Sequence, residues 1–179
     1  MKVLTFAATN SMNSINKALV KYAASKLDGA EIDYVDINDF DLPIYSIDLE
    51  EKFGVPEAAH AFLKRISRAD AILVSFAEHN GNYTVAFKNL FDWMSRVERG
   101  IYHNKPTVML STSPGAGGGQ NVLNLAENAA PHFGGNVKGT LSIPSFYDNF
   151  NAETGQLTNT DLVESLEDVL KALQESVTA

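Results

Sequence analysis

The sequence predicts an α/β protein built on a five-stranded parallel sheet with helices on both faces. Short apolar runs and segments of helical periodicity alternate five times along the chain, an order that indicates parallel strands joined by crossover helices. The clearest pair lies mid-chain, where residues 71–76 form an apolar run typical of a fully buried strand. A helical stripe follows it at Val85, Phe87, Leu90, Phe91 and Met94.

The first two predicted strands, residues 3–7 and 32–37, flank a helix. Asn13 and Ser14 are both candidates for the N-cap of this helix, and Gly29 follows its end. Its apolar face is formed by Ile15, Ala18, Leu19, Tyr22, Ala23 and Leu27. This segment therefore supplies the first strand–helix–strand unit.

Residues 38–55 form a long connection rich in aspartate, which indicates a functional loop that reaches a partner subunit and closes a substrate pocket. Pro56 stands where a helix can begin. The apolar stripe of that second helix contains Ala59, Phe62, Leu63 and Ile66.

The second half of the chain continues the alternation. Residues 107–110 are the predicted fourth strand, and a glycine-rich stretch over residues 111–119 follows. A helix over residues 120–133, a fifth strand over residues 137–143 and a last helix after Thr160 complete the pattern. Five strands in 179 residues suit the flavodoxin-like order 2-1-3-4-5 among doubly wound sheets. No repeat or linker divides the chain, so we predict one domain over residues 1–179.

Composition excludes several classes of protein. Lys and Arg number 14 against 22 Asp and Glu, giving a formal net charge of −8, which argues against binding nucleic acid through its phosphates. The chain has no cysteine and therefore neither disulfide nor thiol nucleophile. The apolar run at residues 2–8 is too short for a signal peptide, and no stretch approaches the roughly 18 apolar residues of a membrane helix. We therefore expect a cytoplasmic protein that makes no membrane contact.

The loop after the first strand is rich in hydrogen-bond donors. Four lie within eight residues, just before and at the start of a helix: Thr9, Ser11, Ser14 and Asn16. A helix N-terminus with added donors favours a phosphate group; the alternative is that one of these residues simply caps the helix. The P-loop pattern is absent, and no glycine lies between Lys2 and Asp28, which excludes a dinucleotide-binding Rossmann loop.

The loop after the third strand suits a flat heterocycle. Asn80-Gly81 permits a tight turn with positive φ, so that backbone groups can face the edge of a ring; a bare strand-to-helix turn is the alternative. The glycines at residues 115–119 allow close approach of a ligand or form a flexible connector. The four histidines show no metal-ligand spacing, no GxSxG elbow is present, and Phe91 and Trp93 are interpreted as core residues.

Two segments resemble known motifs. Residues 8–19, ATNSMNSINKAL, correspond to a GSxRxxSxNxxL loop, and residues 77–93 to PEYNxxxxxxLKNxxDW. The chain thereby resembles the NADPH-dependent FMN reductase family of quinone, chromate and azo-dye reductases. It departs from the family pattern in three ways: Ala8 replaces the loop glycine, Ser11 replaces the phosphate-pairing arginine, and Ala77 and His79 replace the proline and tyrosine around Glu78.

The resemblance implies an FMN-dependent oxidoreductase of flavodoxin-like fold. NADPH or NADH would supply reducing equivalents through the flavin to a quinone-like or other small acceptor, in a homodimer or homotetramer with no metal. A non-catalytic flavodoxin-like electron carrier or flavin-binding module is the alternative. Thr9, Ser11, Ser14, Ile15 and Asn16 would surround the FMN phosphate. The isoalloxazine would be lined by Glu78, His79, Asn80 and Gly81, with Ser113 and Gly115 on its other edge.

Overall fold

The computed structural model describes residues 1–178, and its centre is a five-stranded parallel sheet. The strands are β1 (Lys2–Ala8), β2 (Glu31–Val35), β3 (Ala71–Phe76), β4 (Pro106–Thr112) and β5 (Asn136–Ile143). They lie in the order 2-1-3-4-5, and every neighbouring pair is parallel. The predicted flavodoxin-like topology is therefore confirmed.

Successive strand residues face opposite sides of the sheet, so the strands feed two apolar cores. On one side, Phe6, Val74 and Met109 pack against helices that follow β2, β3 and β4. On the other side, Val3, Leu73 and Val108 pack against the first and last helices. Both faces of the sheet are covered, which explains why its central strands consist almost entirely of apolar residues.

The helices of the described residues are α1 (Ile15–Ser25), α2 (Ile47–Phe53), α3 (Glu57–Arg68), α4 (Val85–Val97), α5 (Gln120–Ala129), α6 (Phe146–Asn149) and α7 (Thr160–Thr178). Helices α3, α4 and α5 cover one face of the sheet, while α1 and α7 cover the other. Ser14 is the N-cap of α1, since its hydroxyl oxygen accepts from the backbone N–H of Asn16. No helix within residues 1–178 is long and apolar enough to cross a membrane.

The connection over residues 38–55 differs from the prediction. It was expected to be a loop throughout, but it contains α2, which begins after the N-cap Ser46. The helix was not predicted because two of its three large apolar residues, Ile47 and Phe53, are exposed, and the half-buried Leu49 alone forms no buried stripe. Other boundaries also differ from the prediction. Strand β2 ends at Val35, β4 extends over Pro106–Thr112, and the helix predicted over residues 120–133 ends at Ala129 as α5 and is followed by a 3₁₀ turn over Ala130–Phe133.

Two small hairpins extend beyond the sheet. In the first, Glu78–His79 pairs with Asn82–Tyr83 around Asn80 and Gly81, and we call residues 78–83 the site hairpin. In the second, which follows α6, Phe150–Asn151 pairs with Gln156–Leu157. The site hairpin joins β3 to α4 and therefore stands at the carboxyl edge of the sheet.

Candidate functional site

A cavity of about 260 Å³ lies at the carboxyl ends of β1, β3 and β4. Three loops, one after each of these strands, form its walls, at the position where ligands bind in open α/β sheets. The cavity contains eight of the predicted site residues: Thr9, Ser11, Ser14, Ile15, Asn16, Glu78, His79 and Ser113. We call it the loop cavity.

The loop after β1 is shaped by two hydroxyl groups. The Thr9 side chain, which is buried, accepts a 3.2 Å hydrogen bond from the backbone N–H of Ser11. The hydroxyl of Ser14 accepts at 3.1 Å from the N–H of Asn16 and so satisfies one of the otherwise unpaired donors of the first turn of α1. Ser11 is exposed, and Ile15 is half-buried as the first residue of α1. The helix N-terminus therefore borders the loop cavity.

The side chain of Asn16 holds three neighbouring segments together. Its side chain is 2% exposed, and its Oδ1 accepts from the Ser75 hydroxyl at 2.7 Å and from the Thr112 N–H at 3.1 Å. Its Nδ2 donates to the Thr112 carbonyl oxygen at 3.1 Å. The amide joins the start of α1 to the ends of β3 and β4. This buried amide is therefore engaged within the protein, and a contact between Asn16 and a phosphate stays a prediction.

The nearest cation to this loop is neutralised by a carboxylate. The ammonium of Lys17, a residue of the first turn of α1, lies 2.6 Å from an oxygen of Asp36, and both side chains are mostly buried. Burial raises the pKa of Asp36, but hydrogen bonds from Lys17 and Asn38 and the charge of Lys17 outweigh it, so the pKa falls below its usual value. Asn38 also donates to the Asn10 carbonyl oxygen at 3.1 Å. The pair thus supports the loop from behind.

The site hairpin has the turn that its sequence predicts. Asn80 and Gly81 have φ values of 53° and 74°, as a two-residue hairpin turn requires. The turn carries both residues outward, so neither lines the loop cavity. Tyr83 anchors the hairpin to the core through ring contacts with Phe76 and Phe87. Burial raises the pKa of Tyr83 to about 12, so its phenol stays protonated at neutral pH.

Glu78 directs its carboxylate away from the loop cavity towards α5. One oxygen accepts from the backbone N–H of Val122 at 3.0 Å, and the other accepts from the side-chain amide of Asn121 at 3.2 Å. These residues belong to the first turn of α5. Glu78 nevertheless belongs to the lining of the loop cavity.

The third wall is the glycine-rich loop after β4. Ser113 lines the cavity, whereas Gly115 does not. The carbonyl oxygen of Gly115 is held inside the loop. That oxygen accepts from the N–H groups of Gly118 and Ser145 at 3.2 and 2.9 Å. The loop is therefore folded against the segment after β5 and is not a loose connector.

Sequence reasoning missed five residues that also line the cavity: Asn13, Ala77, Thr112, Pro114 and Tyr147. Four of them are neighbours in sequence of predicted site residues. They could have been predicted as well, because they lie at the end of a buried strand or in the loop that follows one. Tyr147 lies on α6, far along the chain, and is 69% exposed. Nothing in its local pattern indicates a site, since it reaches the cavity only through the folding of the segment after β5.

A second cavity of about 360 Å³ adjoins the first and shares His79 as a wall. It extends between the 37–44 segment and the start of α4, and its lining includes Phe40, Leu42, Ile44 and Val85. Its lining residues are therefore partly apolar. We call it the outer cavity, because it provides space for a second molecule beside the loop cavity.

The lining of the loop cavity fits a flavin mononucleotide. Donor groups and a helix N-terminus lie at one end, as a terminal phosphate requires. Residues 77–79 and 112–114 line the rest, and the polar groups of these segments suit the hydrogen-bonding edge of a flat ring. Glu78 is the one carboxylate among the lining residues, and its charge is directed to α5. The fold and the site together are those of a flavin-binding α/β protein.

Comparison with known proteins identifies the family. Residues 1–148 match the family model described as NADPH-dependent FMN reductase, so the chain belongs to that family. It is 31% identical over 169 residues to an NADPH:quinone oxidoreductase of Arabidopsis thaliana, covering 93% of this chain and 84% of the relative. A probable NADPH:quinone oxidoreductase 1 of Oryza sativa subsp. japonica is 30% identical over 171 residues, covering 90% and 84%.

Solved structures share the fold. The flavoenzyme FerB of Paracoccus denitrificans, an NAD(P)H:(acceptor) oxidoreductase, superposes with a TM-score of 0.77 at 24% identity, covering 99% of this chain and 97% of that chain. The family and fold predictions are thus confirmed. Family membership makes the chain an NAD(P)H-dependent oxidoreductase that uses FMN.

Proposed function

We propose that the loop cavity holds FMN with its phosphate at the N-terminus of α1 and its ring beside residues 77–79 and 112–114. The observation that carries this proposal is the convergence of three separate loops, each with a predicted site residue, on one cavity. A terminal phosphate there meets N–H groups at the positive end of the α1 dipole. Thr9, Ser11, Ser14 and Ile15 surround it. Asn16 acts from behind by holding the strand ends.

We propose a quinone-type compound as the electron acceptor. The plant relatives named as quinone oxidoreductases match nearly the whole chain, which supports the same acceptor class here. Bound FMN supplies the redox chemistry, passing electrons from the nicotinamide donor to the acceptor. The protein positions both molecules at the flavin. The outer cavity lies beside the loop cavity across His79 and offers room for the molecule that exchanges electrons with the ring.

We further propose that the chain forms a homodimer or homotetramer in the cytoplasm, where reduced nicotinamides are available. Large apolar side chains that are more than half exposed support an interface: Ile44, Ile47, Phe53 and Val85. Ile44 and Val85 line the same cavities, and Ile47 begins the helix that follows. Light scattering after size-exclusion chromatography tests this. Phe53→Lys should reduce the mass if the face is an interface, and an unchanged mass would place the interface elsewhere.

A variant that preserves the helix cap tests the phosphate position directly. Both Asp and Asn cap helices as well as Ser does, so Ser14→Asp and Ser14→Asn should fold alike. Only the aspartate repels a phosphate dianion at this position. We expect Ser14→Asp to weaken FMN binding by more than about tenfold, equivalent to about 1.4 kcal/mol, and Ser14→Asn to leave it nearly unchanged. Equal affinity of the two variants would place the phosphate elsewhere.

The activity is tested with the purified protein. Its visible absorption spectrum, with FMN added where the preparation is colourless, should show bound flavin. Steady-state oxidation of NADH and NADPH should then depend on added benzoquinone, and Ser14→Asp should lose this activity at limiting FMN. Flavin binding without turnover of either nicotinamide would instead favour an electron carrier.

A further inference from the structure

Two of the helices that begin at the carboxyl edge of the sheet follow loops that line the loop cavity. Helix α1 follows the loop after β1, and α5 follows the glycine-rich loop after β4. Each N-terminus has unpaired N–H groups and a positive dipole end, and a glycine-rich loop leading into a helix is a common phosphate cradle. By these general features alone, α5 would compete with α1 for the phosphate of a ligand.

The two N-termini are satisfied in different ways. The cap of α1 is a neutral hydroxyl from its own chain segment, Ser14. The N-cap of α5 is Gly119, which has no side chain to accept a hydrogen bond. A side chain at this position has little room, since a Cβ there would lie 3.1 Å from the Cβ of Ser111. The cap of α5 must therefore come from elsewhere in the fold.

Glu78 supplies that cap as an anion. Its carboxylate accepts from the N–H of Val122, the third residue of α5, at 3.0 Å, and from the amide of Asn121 at 3.2 Å. A carboxylate has the charge and acceptor geometry that a phosphate oxygen would present at the same N–H groups. A second anion there would meet both an occupied donor and a like charge.

We propose that Glu78 is a specificity-determining residue that occupies the N-terminus of α5 and so leaves α1 as the phosphate site. This proposal rests on the proposed function for the part played by α1. Glu78 also ties the site hairpin to the glycine-rich loop, because the hairpin carries Glu78 while the loop leads into α5. The same contact therefore fixes the relative position of two walls of the loop cavity.

Glu78→Ala removes the internal anion and should expose the α5 donors. We expect inorganic phosphate at millimolar concentration to shift the backbone amide resonances of Asn121 and Val122 in Glu78→Ala, recorded by ¹H–¹⁵N correlation spectra. The wild-type protein should show no phosphate-dependent shift at these two amides. Glu127→Ala, which removes an exposed carboxylate from a later turn of α5, is the matched control and should behave as wild type.

The Glu78→Gln variant distinguishes the effect of the negative charge from that of the hydrogen bond to α5. The glutamine can keep the hydrogen bond to Val122 without the negative charge, so we expect FMN affinity within about threefold of wild type. In Glu78→Ala the contact between the site hairpin and α5 is lost, so FMN affinity should fall by roughly tenfold, or about 1.4 kcal/mol. Dispersed spectra of each variant confirm folding before either measurement.

The outcomes distinguish this inference from the proposed function. Phosphate-dependent shifts at Asn121 and Val122 in the wild-type protein would overturn the inference, because the α5 N-terminus would then be available. Their absence in Glu78→Ala, together with unchanged FMN affinity, would overturn it as well. A wild-type protein that binds no FMN would refute the proposed function, while the phosphate titration would still decide the role of Glu78.

Discussion

The indole N–H of Trp93 donates a 2.7 Å hydrogen bond to the carbonyl oxygen of Pro43. One turn earlier in α4, the amide of Asn89 donates to the same oxygen at 3.0 Å and accepts from the N–H of Tyr45 at 2.9 Å. The rings of Tyr45 and Trp93 also meet edge to face, with centroids 5.0 Å apart. Two residues of the family's second motif therefore clamp residues 42–45, part of the wall of the outer cavity.

Replacing the indole should weaken this clamp. Trp93→Phe keeps an aromatic ring but leaves the Pro43 carbonyl with one donor fewer and opens a gap in the core, where Trp93 is 1% exposed. We expect the free energy of unfolding to fall by about 1–3 kcal/mol. Urea unfolding followed by circular dichroism measures this, since the variant lacks the chain's one tryptophan.

Lys88→Ala is the control for the clamp. It changes the neighbouring residue on α4 but removes only an exposed ion pair with Asp92, which contributes about 0.3–0.5 kcal/mol. A loss in Trp93→Phe no larger than that of Lys88→Ala would mean that residues 42–45 are held by other contacts.

The sequence predicts features that depend on local spacing. The succession of strands and helices follows from alternating apolar runs, and the Asn80-Gly81 turn follows from the backbone freedom of those two residues. The interpretation of Phe91 and Trp93 as core residues is confirmed, since they are 6% and 1% exposed. In each case the evidence lies within a few residues of the feature.

The remaining features depend on contacts between distant segments. Asn16 bonds to Thr112, 96 residues away, and Glu78 bonds to Val122, 44 residues away. A hydroxyl- or amide-rich loop has the same appearance in sequence whether its side chains face a ligand or hold neighbouring strands. The sequence therefore brings these residues to attention, but it could not show the contacts that Asn16 and Glu78 make with distant segments.

The site hairpin should respond more to a change at Gly81 than at Asn80. Gly81 has φ of 74°, and a Cβ there would meet no other atom within 4 Å, so Gly81→Val acts through backbone strain alone. A β-branched residue at positive φ costs about 1–3 kcal/mol. Asn80→Ala removes a side-chain amide and introduces a milder strain at φ of 53°. We expect Gly81→Val to lose more FMN affinity than Asn80→Ala, as measured by calorimetry. If both variants bind as the parent does, the hairpin does not position the ring.

The Lys17–Asp36 pair predicts an acid-sensitive contribution to stability. Because the pKa of Asp36 is lower in the folded protein, its stabilising effect is complete above the unfolded pKa near 3.9 and is lost as pH falls through the folded value. At neutral pH, Asp36→Asn should lower the free energy of unfolding by about 1.5–3 kcal/mol. The difference between wild type and Asp36→Asn should shrink as the pH falls below about 4. A difference that stays constant over that range would show that the pair contributes no charge-dependent stability.

Ser11 occupies the position at which the family pattern has an arginine, and it is exposed at the edge of the loop cavity. Lys17, the nearest cation in the sequence, is already paired with Asp36 at 2.6 Å. The FMN phosphate would therefore be held by neutral donors and the dipole of α1. An arginine that reaches the phosphate adds a charge-assisted hydrogen bond of about 1.5–3 kcal/mol. We expect Ser11→Arg to tighten FMN binding by about ten- to a hundredfold, measured by fluorescence quenching.

Ser25→Arg controls for added charge, since it introduces the same side chain at the last residue of α1, on the far end of the helix from the loop. A general effect of net charge on this acidic protein would strengthen FMN binding similarly in both variants. A direct contact would strengthen it only in Ser11→Arg. Measuring the affinity at low and high salt distinguishes a direct contact from long-range attraction. Exposed charges more than about 10 Å apart are largely screened at 0.1 M ionic strength, whereas a hydrogen-bonded pair is screened much less. Unchanged affinity in Ser11→Arg at low and high salt would place the phosphate away from the loop after β1.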